Sequence, residues 1–392
     1  MRFTLTGLAF ALAVAAPAHA QDVWDDPGGI ETEWTGEVAV VLAPDADEPA
    51  LFLVEGGFSA NYVFENGVEA GFRGSAGFQL DHPERAGFSG IYGPGQPDMG
   101  PAGAWSGLAR GPGGEDTGAR AAVETAYIYV EGGYGEARAG LDQGAAARFF
   151  EGAPVLMRHA ALANPALDPA GRVLARTDHD LTGPALKVSY STPRILGIRA
   201  GASFTPEANQ RGLDRDPERG LGGAPGPRIE NASEVAVNLS RRLPRSGVRL
   251  RAAAAWSGAD VSFATPGLYD TVETWSAGGS AEFSSFAFGA SWLGSDNGFA
   301  GGGGDYSALS VAARLTLGKV DAGIEYARAE DEGISAESDA WGIIFARKIN
   351  DSLRIAGGWQ SLDTTYTRNP APLPLRTGDK TDGIVIEITL SR

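Results

Sequence analysis

In this 392-residue chain the side chains that could do chemistry are a few histidines and many scattered charges. Past the first twenty residues, histidine occurs at His82, His159 and His179 only. His179 stands between Asp178 and Asp180, a triplet that could offer a metal ligand or a general base with orienting carboxylates. Nothing else in the sequence completes such a site. Cysteine is absent, no helical pattern carries paired histidines, and no Gly-x-Ser-x-Gly nucleophile elbow accompanies the histidines. The triplet therefore reads as a solvated loop. Gly301 to Gly304 followed by Asp305 shares only its composition with a phosphate loop, because the Lys-Ser/Thr that would grip phosphate and metal is missing. We expect no catalytic residue, no metal and no cofactor.

The second chemistry is electrostatic. Arg73, Arg120, Arg138, Lys187, Arg199, Arg249 and Arg251 all take the polar parity of their alternating segments. Asp142, Glu151, Asp168, Asp178 and Asp180 fall on one long segment, residues 142–183, which also carries Arg148, Arg158, Arg172 and Arg176. Opposed rows of fixed charge across a wet passage would filter ions and orient dipolar solutes. Arg73, Arg120 and Arg138 lie on three consecutive strands and are expected side by side. Glu230 and Glu234 are expected to pair across strands with Arg249 and Arg251. The plain alternative is that many of these charges are simply solvated at a rim.

Such rows need rigid elements to hold them. In residues 187–205, KVSYSTPRILGIRAGASFT, Leu186, Val188 and Tyr190 alternate with Lys187, Ser189 and Ser191, and Ile198, Ala200, Ala202 and Phe204 alternate with Arg199, Gly201 and Ser203. This is period-2 alternation on both arms of a hairpin turning at Thr192-Pro193-Arg194. In a soluble sandwich the apolar face would point inward; in a membrane barrel it faces lipid and the polar face lines the lumen. Similar segments recur over about residues 34–42, 51–64, 67–80, 119–131, 135–141, 184–192, 195–205, 228–241, 246–257, 271–281, 283–294, 305–317, 319–330, 337–349, 351–363 and 380–391. Short turns at Asn66-Gly67, Gly132-Gly133, Pro193-Arg194, residues 242–245, Glu282, Gly318 and Asn350 alternate with long polar loops, as in outer-membrane barrels. Tyr127, Tyr129, Tyr134, Trp256, Trp275, Trp292, Tyr326, Trp341, Phe345 and Trp359 sit toward strand ends, where interfacial girdles are expected. The fold class is all-β: a transmembrane antiparallel barrel of about sixteen strands.

Compartment and composition agree. Arg2, the apolar run of residues 5–16 and Ala18-His19-Ala20 make a secretory leader over residues 1–20, leaving residues 21–392 as one barrel domain. No later apolar run is long enough for a spanning helix, so a membrane would have to be crossed by a closed barrel. Without disulfides, an exported chain needs another staple, such as a closed hydrogen-bonded sheet. A net charge of −17 speaks against a nucleic-acid partner.

Three stretches resemble the Gram-negative general porins, in particular their alphaproteobacterial branch. Residues 187–205 resemble the hairpin after the third loop of those proteins. Residues 131–140, EGGYGEARAG, resemble the strand-turn-strand before that loop, and residues 66–73, NGVEAGFR, resemble an early hairpin. The resemblance implies a sixteen-stranded outer-membrane barrel, usually a homotrimer, through which ions and small hydrophilic solutes diffuse passively. It also implies that residues 142–183 form an inward-folded third loop that narrows the lumen. Members usually end in an aromatic residue read by the barrel-assembly machinery, whereas this chain ends Leu390-Ser391-Arg392 with a charge at lipid-facing parity. Two other readings stand beside it: an outer-membrane barrel enzyme, lipase or protease, and a secreted soluble β-protein or adhesin.

Overall fold

The structure is a computed structural model that describes residues 29–46, 48–82, 103–106, 119–171, 173–210, 212–213, 227–368 and 375–392. The expected leader, Arg172 and most of the loop expected over residues 81–118 lie outside the described residues. Sixteen strands form: β1 (Ile30–Leu42), β2 (Ala50–Val63), β3 (Glu69–Leu80), β4 (Ala119–Gly132), β5 (Gly135–Asp142), β6 (Ala185–Ser191), β7 (Ile198–Glu207), β8 (Arg228–Arg242), β9 (Arg249–Ser262), β10 (Thr271–Phe283), β11 (Phe286–Ser295), β12 (Tyr306–Leu317), β13 (Val320–Asp331), β14 (Ala336–Lys348), β15 (Leu353–Arg368) and β16 (Leu375–Ser391). Each pairs antiparallel with its sequence neighbours, and β1 pairs with β16, so the sheet closes into a barrel. One short helix, α1 (Ala145–Phe149), follows β5.

The two faces of the wall are inverted relative to a soluble protein. On β6, Leu186 and Val188 are 59% and 57% exposed, whereas Lys187 and Ser191 between and after them are 4% and 1% exposed. The same reversal holds on β7, where Ile198 and Phe204 are exposed and Ser203 and Thr205 are buried. Because the sheet is closed, the exposed apolar face is the outside of the barrel and the buried polar face its inside. Indole pairs mark the outside: Trp341 and Trp359 have ring centroids 4.4 Å apart, and Trp256 and Trp275 6.2 Å.

Tyr127 and Tyr129 depart from the expected girdle, for both are buried inside the barrel. A bulge explains it. The β3–β4 register shifts between Ser75 and Ala76, leaving Glu124 as an extra residue on β4. One inserted residue reverses side-chain parity, so Arg120 and Tyr127 both face inward although their spacing is odd. A second shift on β8, between Glu230 and Ser233, overturns the expected Glu230/Glu234 pairing with Arg249 and Arg251. Glu230 turns to the exposed side and accepts a hydrogen bond from Ser262 at 3.1 Å. Glu234 lies opposite Ser257, while Arg249 and Arg251 lie opposite Arg242 and Ser240. Parity assigns a face but not a height along the barrel.

The turn at Asn66-Gly67 forms as expected, with Gly67 at φ 77° and Asn66 Oδ1 accepting from Val68 N at 3.1 Å. The turn expected at Pro193-Arg194 lies further on. Ile195 and Ile198 exchange both backbone hydrogen bonds at 2.9 Å, with Leu196 at φ 52° and Gly197 at φ 92°. This two-residue turn has positive φ at both central positions, the geometry that matches strand twist, and proline cannot enter it. Likewise the turn expected at Glu282 falls at residues 284–285, and Glu282 stays on β10.

A β-carbon on Gly197 would also lie 2.7 Å from the Ser240 carbonyl oxygen. Gly197→Ala is therefore expected to destabilise the barrel by about 1–2 kcal/mol or more, read as a lower urea midpoint for folding into lipid vesicles.

Candidate functional site: the charged barrel interior

The segment between β5 and β6 is tied to buried side chains on strands nearly all the way round the ring. At α1, Ala145 N donates to Ser203 Oγ of β7 at 2.8 Å. Leu156 N donates to Glu325 Oε1 of β13 at 2.6 Å. The backbone N–H groups of Arg158, His159 and Ala160 converge on the Glu387 carboxylate of β16 at 3.0, 2.7 and 3.1 Å, and Arg354 of β15 lies 3.5 Å from the same carboxylate. The chain then passes the end of β3, where Asp168 N donates to Asp81 Oδ1 at 3.0 Å. On the return, Arg176 N donates to Tyr306 Oη of β12 at 2.8 Å, and Thr177 Oγ1 is 2.8 Å from Ser291 Oγ of β11. His179 Nδ1 and Nε2 lie 2.8 and 2.7 Å from Ser276 Oγ of β10 and Ser257 Oγ of β9. Thr182 Oγ1 donates to Glu234 Oε1 of β8 at 3.2 Å. Removing one partner of a buried charge costs about 3–5 kcal/mol, so Glu387, fully buried, binds residues 158–160 tightly to the wall.

Glu136 of β5 is the hub of the charged region. Its Oε1 is 2.7 Å from Arg138 Nε, and its Oε2 is 2.9 Å from Arg199 Nη2 and 3.4 Å from Arg148 Nη2. Arg138 also reaches Asp142 at 3.2 Å and covers the Tyr127 ring at 4.7 Å. Arg148 donates to Ser189 Oγ at 2.9 Å and Ser191 Oγ at 3.3 Å. On β3, Arg73 lies over the Tyr129 ring at 5.1 Å, and its residue is exposed. Three guanidinium groups thus share two carboxylates, and Arg73 lies over Tyr129, whose hydroxyl donates to Glu69 Oε1. Further round the wall, Glu282 lies between Arg249 and Arg314, each at 3.6 Å.

The residues singled out from sequence divide accordingly. Arg138, Arg199 and Asp142 come together around Glu136, and Arg73 stands beside them. Arg120 does not join them: it pairs with Gln79 at the far end of β4, roughly 20 Å along the strand from Tyr127, and donates to Leu213 O at 3.1 Å. Lys187 Nζ donates to Thr182 Oγ1 and Gly183 O at 2.9 and 2.8 Å. Asp168 shapes its own loop, accepting from Ala170 N and Val173 N at 3.0 and 2.8 Å. Asp178 lies 3.3 Å from Arg176 Nε, and Asp180 Oδ1 accepts from Gly183 N at 2.9 Å. Burial pushes the Glu151 carboxyl above the ordinary carboxylate range against the charges of Arg251 and Arg194.

The expectation that the triplet around His179 is solvated is overturned at the histidine. His179 is fully buried, and that burial pushes it down to about 3, against the charge of Asp180. His159 Nε2 sits 2.9 Å from Glu37 Oε1. Among the described residues, no group of three or more His, Asp or Glu side chains is placed to hold a metal ion.

Sequence reasoning missed Glu136, Glu325, Arg354 and Glu387. Glu387 had a signal, as the acid on the inward parity of a strand whose other face is Ile384, Ile386, Ile388 and Leu390. Also unexpected is a dry part of the interior. Leu174 and Leu181 of the β5–β6 segment pack with Ile229, Val261, Val272 and Leu293, wall residues near the long-loop ends of their strands. The inner faces of β5 to β7 remain polar, carrying Glu136, Arg138, Lys187, Ser189, Arg199 and Ser203.

The family model described as Gram-negative porin matches residues 6–367. Among solved structures, an anion-selective porin from Comamonas acidovorans is 14% identical, with 93% of this chain and 100% of that one covered and a TM-score of 0.56. OmpT, an outer membrane protein of Vibrio cholerae, is 14% identical over 95% and 100%, with a TM-score of 0.55. Salmonella typhi OmpF, in complex with daunomycin, is 12% identical over 94% and 99%, with a TM-score of 0.57. These identities establish a shared fold. No curated protein sequence matches the chain.

The His159 contact sets a pH dependence. Burial lowers the affinity of His159 for a proton, but its hydrogen bond to Glu37 and the charges of Glu387, Glu37 and Glu55 outweigh this and raise it above the ordinary value of 6.5. A raised histidine contributes stability that is complete below its unfolded-state pKa and lost as pH rises through its folded-state pKa. The urea midpoint of the wild type should therefore exceed that of His159→Gln most at about pH 5, the gap closing toward about pH 9.

Proposed function

The chain belongs to the Gram-negative porin family, and from that premise we propose that residues 142–183 form the constriction loop of its channel. It is an outer-membrane diffusion channel for ions and small hydrophilic solutes. The observation that carries the constriction is the hydrogen bonding of one segment to Ser203, Glu325, Glu387, Ser291, Ser257 and Glu234, side chains spread around the inside of the ring. Partners so distributed support a segment that lies within the lumen.

In this reading solutes pass beside Arg73, exposed on the inner side of β3, since α1 and Arg148 cover the inner faces of β6 and β7. Fixed charges there act where a solute gives up part of its hydration, so their sign and spacing select which ions pass. Arg73, Arg138 and Arg199 line the passage with Asp142, and Glu151 faces Arg251 further round. Arg120, Lys187, Asp168, Asp178 and Asp180 instead hold loops to the wall. We further propose a homotrimer, export through the leader at residues 1–20, assembly by the barrel-assembly machinery, and membership of the alphaproteobacterial branch on the likeness of residues 187–205.

Catalysis has no place in this reading: His159 is engaged by Glu37, and His179 is buried between two serine hydroxyls where no substrate reaches. A soluble secreted protein is disfavoured by the exposed Leu, Val, Ile, Phe and Trp side chains around the barrel.

Purified, folded protein is expected to give stepwise conductance in a planar bilayer, and its absence from assembled barrels would refute the channel. Arg73→Glu should move the reversal potential under a salt gradient toward cation preference, because Arg73 is exposed and removing it leaves the Glu136 hub intact. An unchanged potential would place Arg73 away from the ion path.

A further inference from the structure

The connection between β3 and β4 meets the opposite side of the barrel at residues 103–106. Ala104 N donates to Asn297 O at 2.8 Å and Ser106 N to Asn297 Oδ1 at 3.0 Å. Asn297 follows β11, which is eight places round the sixteen-membered ring from β3. Residues 103–106 therefore sit across the ring from β3.

The meeting point is shaped for close approach. A β-carbon on Gly103 would fall 2.0 Å from Asn297 Cγ, so only glycine lets the carboxamide lie flush. Asn297 itself is held at φ 56°, a left-handed conformation that asparagine tolerates better than most residues. Its Nδ2 donates to Gly304 O at 2.8 Å, so the same side chain binds two loops.

This anchoring sets Trp105, fully buried, edge-on to His179 with ring centroids 6.0 Å apart. His179 is clamped to β9 and β10 by Ser257 and Ser276. Trp105 joins the buried cluster that contains Leu174, Leu181, Ile229, Val261, Val272 and Leu293. An indole fills more space than any other side chain, and here it comes from the far side of the ring.

We propose that Trp105 is a size-determining residue of this channel, a wedge that fills the lumen against β8 to β12 and confines solutes to the side of the ring where Arg73 is exposed. The inference rests on the channel reading above and adds to it which side chain limits the passage. Removing the indole opens space beside the His179 ring.

The test compares full-length wild type with Trp105→Ala, Gly103→Val and Trp105→Phe. Gly103→Val keeps the indole but drives its segment off Asn297, and Asn297→Ala serves the same purpose if Trp105→Ala fails to assemble. Trp105→Ala and Gly103→Val should raise single-channel conductance on the order of two-fold and admit larger neutral sugars in liposome swelling. Trp105→Phe should stay near the wild type. Wild-type conductance and sugar exclusion in both, with heat-modifiable mobility confirming assembly, would overturn the inference alone. A wild type that forms no channel would overturn the channel reading and this inference together.

Discussion

Inside hydrocarbon a backbone N–H or C=O has no water to turn to, and each one left unpaired costs several kcal/mol. A sheet can meet that demand only if its first and last strands find each other. Here they do: Glu37 to Leu42 pair with Ser391 to Ile386, and Gly36 and Arg392 exchange hydrogen bonds at 3.2 and 2.9 Å just beyond. Closure removes the edges and replaces disulfides as the staple of this cysteine-free chain. It also divides every strand into an outer face for lipid and an inner face for whatever fills the barrel.

The inner face then has a problem of its own, because side chains carried inward must be wetted, paired or packed. This chain uses all three. Arg73 remains exposed beside the Glu136 hub, where carboxylates and guanidinium groups neutralise one another. Glu387 is withdrawn from water and satisfied by three backbone N–H groups and Arg354. Toward the long loops, Ile229, Val261, Val272 and Leu293 meet Leu174, Leu181 and Trp105 in a dry cluster. The interior is consequently graded, charged toward the short turns and apolar toward the long loops on the β8 to β12 side.

That gradation links packing to function. A loop held only by solvent-exposed contacts would move on the timescale of loop fluctuations. Here each few residues of the β5–β6 segment have a wall partner, so the segment is held in one arrangement. On β3 the Arg73 guanidinium stays exposed to the space that remains.

By itself the sequence determined the strands and their faces. Alternation is local, and Leu186 beside Lys187 or Ile388 beside Glu387 states which way each side chain turns once closure is assumed. Asn66-Gly67 likewise announces its own turn. Only the tertiary structure decided what depends on register and on partners far away in the chain. The extra residue at Glu124 turned Tyr127 and Tyr129 inward, and the shift after Glu230 separated it from Glu234. Pairing fixed Arg120 far along the wall from Arg73, and the hydrogen bonds of residues 158–160 to Glu387 join positions more than two hundred residues apart. A period of two carries no information about bulges, heights or the path of a loop, because those are settled by hydrogen bonds between strands and by the space the closed ring leaves.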